Sequence, residues 1–172
     1  MKDLIDKLHE FAKQDFPVAD VTAYLEAYEF KMDDREKYCF FENKFYTRNL
    51  VFRDELFEIL VICWGPGQVA PVHGHEGEKC WARVEKGKLQ FCDYSILSET
   101  PIELKMNNLV TGDKGFLDGP AEIHSVENIF NEPAVSLHIY AKPFDACDIY
   151  DLENKTVERV TLKCYSQYGE LC

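Results

Sequence analysis

Two hydrophobic periods divide the chain, one close to 3.6 residues up to about residue 42 and one close to 2 beyond it. Leu4, Ile5, Leu8, Phe11 and Ala12 fall on one helical face, with Asp3 early and Pro17 just beyond, which predicts an amphipathic helix from Asp3 to about Asp15. Val21, Leu25 and Tyr28 predict a second helix over Asp20 to Phe30 with Asp20 as its N-cap. Asp33-Asp34-Arg35-Glu36 has the capping-box pattern ahead of a short third helix. After Asn43 the side chains of Tyr46, Arg48 and Leu50 alternate with those of Thr47, Asn49 and Val51, as in a strand with two different environments. Phe57 to Trp64 is a continuous apolar run, expected of a strand buried on both faces and ended by Gly65-Pro66-Gly67. Shorter runs follow at Trp81 to Val84, Leu89 to Tyr94, Ile102 to Leu104, Gly115 to Leu117, His124 to Asn128, Val135 to Tyr140 and Val157 to Leu162. Many short strands after a helical start predict a mainly β fold. The expectation is a small antiparallel barrel or jelly roll over about 43–172, with the N-terminal segment of about 1–42 packed outside it in a single domain.

Composition narrows the function classes. A net charge of -12 argues against nucleic acid, whose binding relies on clustered Lys and Arg. Seven cysteines are an odd number in a chain of 172 residues, and the N-terminus has no signal-peptide pattern, so reduced thiols in the cytoplasm are expected rather than a disulfide scaffold. No apolar run approaches the ~20 residues of a membrane-spanning helix.

Chemistry concentrates between Gly67 and Gly87. His73 and His75 are one residue apart, so on a strand both rings project from one face and can close on a single ion. Lys86-Gly87-Lys88, between two apolar runs, predicts a hairpin tip. This spacing resembles the first cupin motif, with Gly67, His73, His75 and Gly87 in register and Cys80 in the place of the usual glutamate. His124 to Asn128 resembles the end of the second cupin motif, although Gly119-Pro120-Ala121 departs from its Pro-x-Gly and Gly112 is one place out of register. A third imidazole would complete a facial three-nitrogen set for iron; the ordinary alternative for His124 is a buried ring satisfied by hydrogen bonds. Ser136, His138 and Tyr140 share one face of a strand. Such a row is either solvated or buried in series inside a barrel built around a metal.

Taken together, Tyr46-Thr-Arg48-Asn-Leu50, Cys63-Trp64-Gly65, His73-x-His75, Cys80, His124-x-Val126-Glu-Asn128, Glu132-Pro-Ala-Val-Ser-Leu-His138-x-Tyr140 and Pro143-Phe-Asp-x-Cys147 make nearly the whole chain resemble a cysteine dioxygenase. That family converts L-cysteine and O2 to cysteine sulfinic acid at one mononuclear non-haem Fe(II) per chain, held by three histidines. The resemblance implies His73, His75 and His124 as ligands. It implies Arg48, helped by Tyr46 and His138, as the anchor of the substrate carboxylate, and it places Tyr140 beside the iron. Cys80 matches the cysteine that family members join to this tyrosine by a thioether, and Ser136-His138-Tyr140 would be the row that positions the phenol. Cys147 matches a cysteine near the mouth of the site, with an inert structural thiol as the alternative. The partners implied are the small molecules L-cysteine and O2, with a monomer as the working unit and neither nucleic acid nor membrane involved.

One departure concerns the strand exit. Animal members continue from the tyrosine with Ser-Pro-Pro and a cis bond, whereas this chain has Ala141-Lys142-Pro143. A cis bond before lysine costs roughly 2.5–4 kcal/mol, which favours a trans or shifted exit. A thiol dioxygenase acting on 3-mercaptopropionate or cysteamine is the nearest competing enzyme, and a non-catalytic metal-binding cupin the competing binding module. Arg48 separates these readings, since a cationic anchor is wasted on cysteamine and the mercaptopropionate branch usually carries glutamine there, with glycine in place of Cys80.

Overall fold

A computed structural model describes residues 1–172. Three helices, α1 (Lys2–Ala12), α2 (Val18–Ala27) and α3 (Met32–Tyr38), precede the strands β1 (Thr47–Arg53), β2 (Glu58–Trp64), β3 (Val69–Gly74), β4 (Lys79–Lys86), β5 (Lys88–Glu99), β6 (Ile102–Asp113) and β7 (Leu117–Asp118). The chain continues through β8 (Ile123–Glu127), β9 (Ala134–Ala141), β10 (Ala146–Asp151), β11 (Thr156–Thr161), β12 (Ser166–Gln167) and β13 (Glu170–Leu171). One sheet has the order β13-β12-β1-β2-β9-β4-β7 and the other β11-β10-β3-β8-β5-β6, antiparallel except for the β1 and β12 pair. The mainly β expectation, with helices outside a two-sheet barrel, holds. No helix is long and apolar enough to cross a membrane.

The sequence of β2 explains the layering. All seven of its residues are buried because its faces meet different cores. Ile59, Val61 and Cys63 face outward to Leu4, Leu8, Val21 and Leu25 of the helices. Leu60, Ile62 and Trp64 face the barrel interior with Phe91, Val126 and Tyr140. β9 does the same, sending Val135, Leu137 and Ile139 to the helices and Tyr140 inward. Ser136 and His138, on the inward face, are buried as well, so the row is not solvated. Leu137 is fully buried on the helix side. Leu137→Ala is therefore expected to lower the unfolding free energy by about 2–5 kcal/mol, seen as an earlier urea midpoint at unchanged slope.

Several local expectations need correction. The first helix ends at Ala12, because Asp15 and Phe16 take positive φ (53 and 49) in the turn that follows. The second starts at Val18 behind Pro17, so Asp20 lies in the first turn rather than at the N-cap. The third begins at Met32 with no side-chain cap, so Asp33 of the capping-box pattern lies in the first turn. Gly87 is not a hairpin tip: β4 and β5 belong to different sheets, and Gly87 (φ 72) turns the corner between them, where a Cβ would lie 2.7 Å from the Pro133 carbonyl oxygen. β6 runs the full length of β5 rather than stopping at Leu104; its largely exposed side chains give no apolar period to read. The Ala141-Lys142 bond is cis, contrary to the trans or shifted exit expected, and Tyr140 keeps its register opposite Cys80.

Candidate metal centre

His73, near the end of β3, pairs with His124 of β8 in register. His75 sits one residue past the end of β3 rather than on the strand, where Glu76 and Gly77 turn with positive φ. The rings still converge: centroids are 5.0 Å apart for His73 and His75, 4.9 Å for His73 and His124, and 4.7 Å for His75 and His124. One nitrogen from each lies within 4.8 Å of the others, as a shared ion requires.

The hydrogen bonds on the far side of each ring decide which nitrogens point inward. Nδ1 of His73 lies 2.8 Å from the Pro71 carbonyl oxygen, that of His75 2.9 Å from the Ala121 carbonyl oxygen, and that of His124 2.9 Å from Oδ2 of Asp118. Each acceptor calls for a proton on Nδ1, so that Nε2 is the nitrogen left to act as a lone-pair donor toward a metal. Burial, reinforced by His124, holds His73 neutral with a pKa down to about 3, and burial pushes His75 well below the usual histidine range. Nε2 of His75 and of His124 are buried with no partner. Orphaned buried nitrogens are costly unless something binds them. Three convergent imidazoles fit a divalent first-row metal, with positions left open for other ligands.

Beside this set, Trp64 Nε1–H donates to Ser136 Oγ at 2.9 Å, Ser136 lies 2.8 Å from His138 Nε2, and the Tyr140 hydroxyl lies 3.2 Å from His138 Nδ1. Ser136 already accepts from Trp64, so its own proton finds an acceptor when it donates to His138 Nε2. His138 then donates from Nδ1 to the phenol oxygen, and burial keeps the imidazole neutral. Both His138 nitrogens are thereby engaged. Cys80 lies directly opposite Tyr140 on the neighbouring strand β4, and both side chains are buried. The two are cross-strand neighbours. Burial pushes the pKa of each well up.

Arg48 reaches over the Tyr140 ring, its guanidinium carbon 5.9 Å from the centroid, and its buried Nε has no partner. Burial works against its charge, but Tyr140, Glu58 and Tyr46 offset this and raise its pKa. Tyr46 stacks on Trp64 at 4.8 Å and 20°. Tyr46, Arg48, Tyr140, His73 and the buried Cys147 line a common small cavity. All of the side chains singled out from the sequence thus meet in one region.

Two acidic residues escaped the sequence reading. Asp118, the acceptor of His124, sits in a short strand with no apolar period around it. Glu58 opens the apolar run of β2, is 2 % exposed, lies opposite Tyr140 and pairs with Arg53 at 3.4 Å. Its position at a strand start looks like that of any solvated end residue.

Fold and site together define a two-sheet β-barrel with three histidines that converge closely enough to hold a metal ion. The family description "Cysteine dioxygenase type I" matches residues 1–153. The chain is 34% identical to cysteine dioxygenase type 1 of Rattus norvegicus and 33% to that of Homo sapiens, in each case over 98% of this chain and 88% of the relative. It belongs to the cysteine dioxygenase type I family. Among solved structures, a Thermus thermophilus protein superposes with a TM-score of 0.53 at 22% identity, covering 67% of this chain and all of that one. A Bacillus halodurans protein gives 0.52 at 18% identity, covering 69% of this chain and 83% of that one. At such identities these two likenesses bear on the fold alone.

Proposed function

We propose that the protein oxidises L-cysteine with O2 to cysteine sulfinic acid at one Fe(II) per chain, held by His73, His75 and His124. The observation that carries this reading is the convergence of three imidazoles beside Arg48, whose buried Nε has no partner, in a member of this family. When bound, iron supplies a redox centre with room for the substrate's soft thiolate, its amine and O2. Arg48 offers the substrate carboxylate a charge-assisted hydrogen bond from a donor that has no other partner. Tyr46, stacked on Trp64, lines the same small cavity as Arg48 and helps it to hold the carboxylate. The resemblance implies that His138 helps to hold the carboxylate; both of its nitrogens lie within hydrogen-bond distance of Ser136 and Tyr140, which supports a part in holding the Tyr140 hydroxyl. Its donation to the phenol oxygen leaves the phenol proton free to point at Cys80 or a bound ligand. Both oxygen atoms end on sulfur, the sulfinic rung of thiol oxidation. All these side chains come from one chain, which suits a single-domain monomer with reduced thiols, working in the cytoplasm.

O2 consumption by the iron-loaded protein with L-cysteine, 3-mercaptopropionate and cysteamine tests the assignment. L-cysteine is expected to give the highest kcat/KM; a preference for either other thiol would contradict it.

The adjacency of Cys80 and Tyr140 supports a further maturation step. Joining Sγ to the phenol ring removes two hydrogens, one from the thiol and one from the ring, and O2 as the two-electron acceptor would take them up as hydrogen peroxide. Turnover with cysteine is expected to convert part of the protein to a faster-migrating band on denaturing gels, absent in Cys80→Ala, with the joined peptides two hydrogens lighter. Activity should rise modestly, because a fixed phenol loses less freedom on reaching the reactive geometry. Exhaustive turnover that leaves Cys80 fully alkylatable would rule the bond out.

A further inference from the structure

The three ligand rings are not supported alike. His73 and His75 donate their Nδ1–H to main-chain carbonyls of Pro71 and Ala121, whereas His124 donates to a carboxylate, Asp118, which is 8% exposed. We propose that Asp118 is a positioning residue that sets how tightly the three-histidine centre holds its metal, and at what reduction potential, through this bond to His124. The inference rests on the metal-centre reading above.

A carbonyl acceptor orients an imidazole; a carboxylate also draws its proton away, which makes the opposite nitrogen a stronger donor. Three neutral ligands leave the full charge of a divalent ion uncompensated, and Asp118 places a negative charge one hydrogen bond behind one of them. Asp93 on β5 lies against the same pair. Its carboxylate, that of Asp118 and a nitrogen of His124 fall within 4.8 Å of one another, and Asp93 Oδ1 is buried without a partner. The negative field behind His124 therefore comes from two carboxylates, of which only Asp118 is hydrogen-bonded to the ring.

The backbone fixes Asp118 in that place. β7 pairs with β4 at Ala82 and Asp118, and the next residue, Gly119 (φ +116), passes so close to β4 that a Cβ would lie 2.3 Å from the Cys80 carbonyl oxygen. No other residue type fits that approach. Ala121 then donates its N–H to the same carbonyl at 3.1 Å and accepts from His75 with its own carbonyl. Four residues, Asp118 to Ala121, thereby set the orientation of two of the three ligand rings. The departure from the second cupin motif at Gly119-Pro120-Ala121 coincides with this turn.

The test compares full-length wild type, Asp118→Asn, Asp118→Ala and His124→Ala, each loaded anaerobically with Fe(II). Two quantities are read: the Fe(II) dissociation constant in competition with a chelator, and the midpoint potential of the bound iron. Asp118→Ala is expected to weaken Fe(II) binding about 10- to 100-fold. Asp118→Asn keeps an acceptor for His124 and should recover most of the affinity, while the loss of charge moves the potential upward. Wild-type affinity in Asp118→Ala, or an unchanged potential in Asp118→Asn, overturns the proposal; the potential of the asparagine variant decides alone if the alanine variant does not fold. Retention of iron at wild-type affinity by His124→Ala would instead overturn the metal-centre reading on which the proposal rests.

Discussion

His75→Ala and His124→Ala are expected to leave the barrel folded, to bind substoichiometric iron after anaerobic loading, and to lose roughly three orders of magnitude or more in cysteine oxidation. The size follows from the several kcal/mol that a bound metal contributes to charge stabilisation at the reacting atoms. Each ring supplies one of three nitrogens, and the carboxylates near His124, those of Asp93 and Asp118, are not grouped with His73 and His75. His75 and His124 are almost fully buried, and their Nε2 atoms have no protein partner to lose on truncation. Stability responds differently at the two positions. His124→Ala strands the buried Asp118 carboxylate without its donor, which costs about 1–3 kcal/mol or more, whereas His75→Ala frees a main-chain carbonyl near the surface loop. Iron content per chain, circular dichroism and O2 uptake separate loss of ligation from loss of fold. Stoichiometric iron with full turnover in both variants would show that the ligands are elsewhere.

Arg48→Ala is the second large effect. A hydrogen bond to a charged group contributes about 1.5–3 kcal/mol, so kcat/KM for L-cysteine should fall roughly 10- to 150-fold, mainly through KM, with a smaller effect on cysteamine, which lacks a carboxylate. Selectivity between the two thiols should shrink accordingly. The loss also exposes Glu58, whose carboxyl burial already pushes above the usual range against the opposing pull of Arg48 and Arg53. Steady-state O2 consumption with both thiols over a range of concentrations reads the ratio; an unchanged ratio would remove Arg48 from carboxylate recognition.

Much of this was legible in the chain because periods and chemistry coincide. The continuous apolar run of β2 announced a strand buried on both faces, and the polar row of β9 turned out to line the interior, where serine, histidine and tyrosine satisfy one another. The spacing of His73 and His75 pointed to a shared ion, yet the strand argument for the pair was only half right. A turn at Glu76 and Gly77 carries His75 off the strand, and the ring reaches the centre because Ala121, 46 residues away, holds it. Such long-range acceptors leave no local pattern. Asp118 and Glu58 were missed for a related reason: a carboxylate buried by its tertiary partners looks, in sequence, like one in water. Helix starts failed where the chain enters the helix earlier than the local pattern indicates, as with Asp33, which lies in the first turn of α3 instead of capping it. Gly87 was correctly read as a turn, but whether a turn closes a hairpin or moves the chain between sheets depends on strand pairing, which period and turn chemistry do not encode.

The central claim is that both atoms of one O2 molecule are added to cysteine sulfur at this centre. Iron-loaded protein incubated with L-cysteine under ¹⁸O2, followed by mass spectrometry of the product, tests it most directly. The account predicts cysteine sulfinic acid heavier by four mass units than the product made under ordinary O2, formed in proportion to the O2 consumed. Cystine as the main product, or sulfinate carrying an oxygen atom from water, would contradict it.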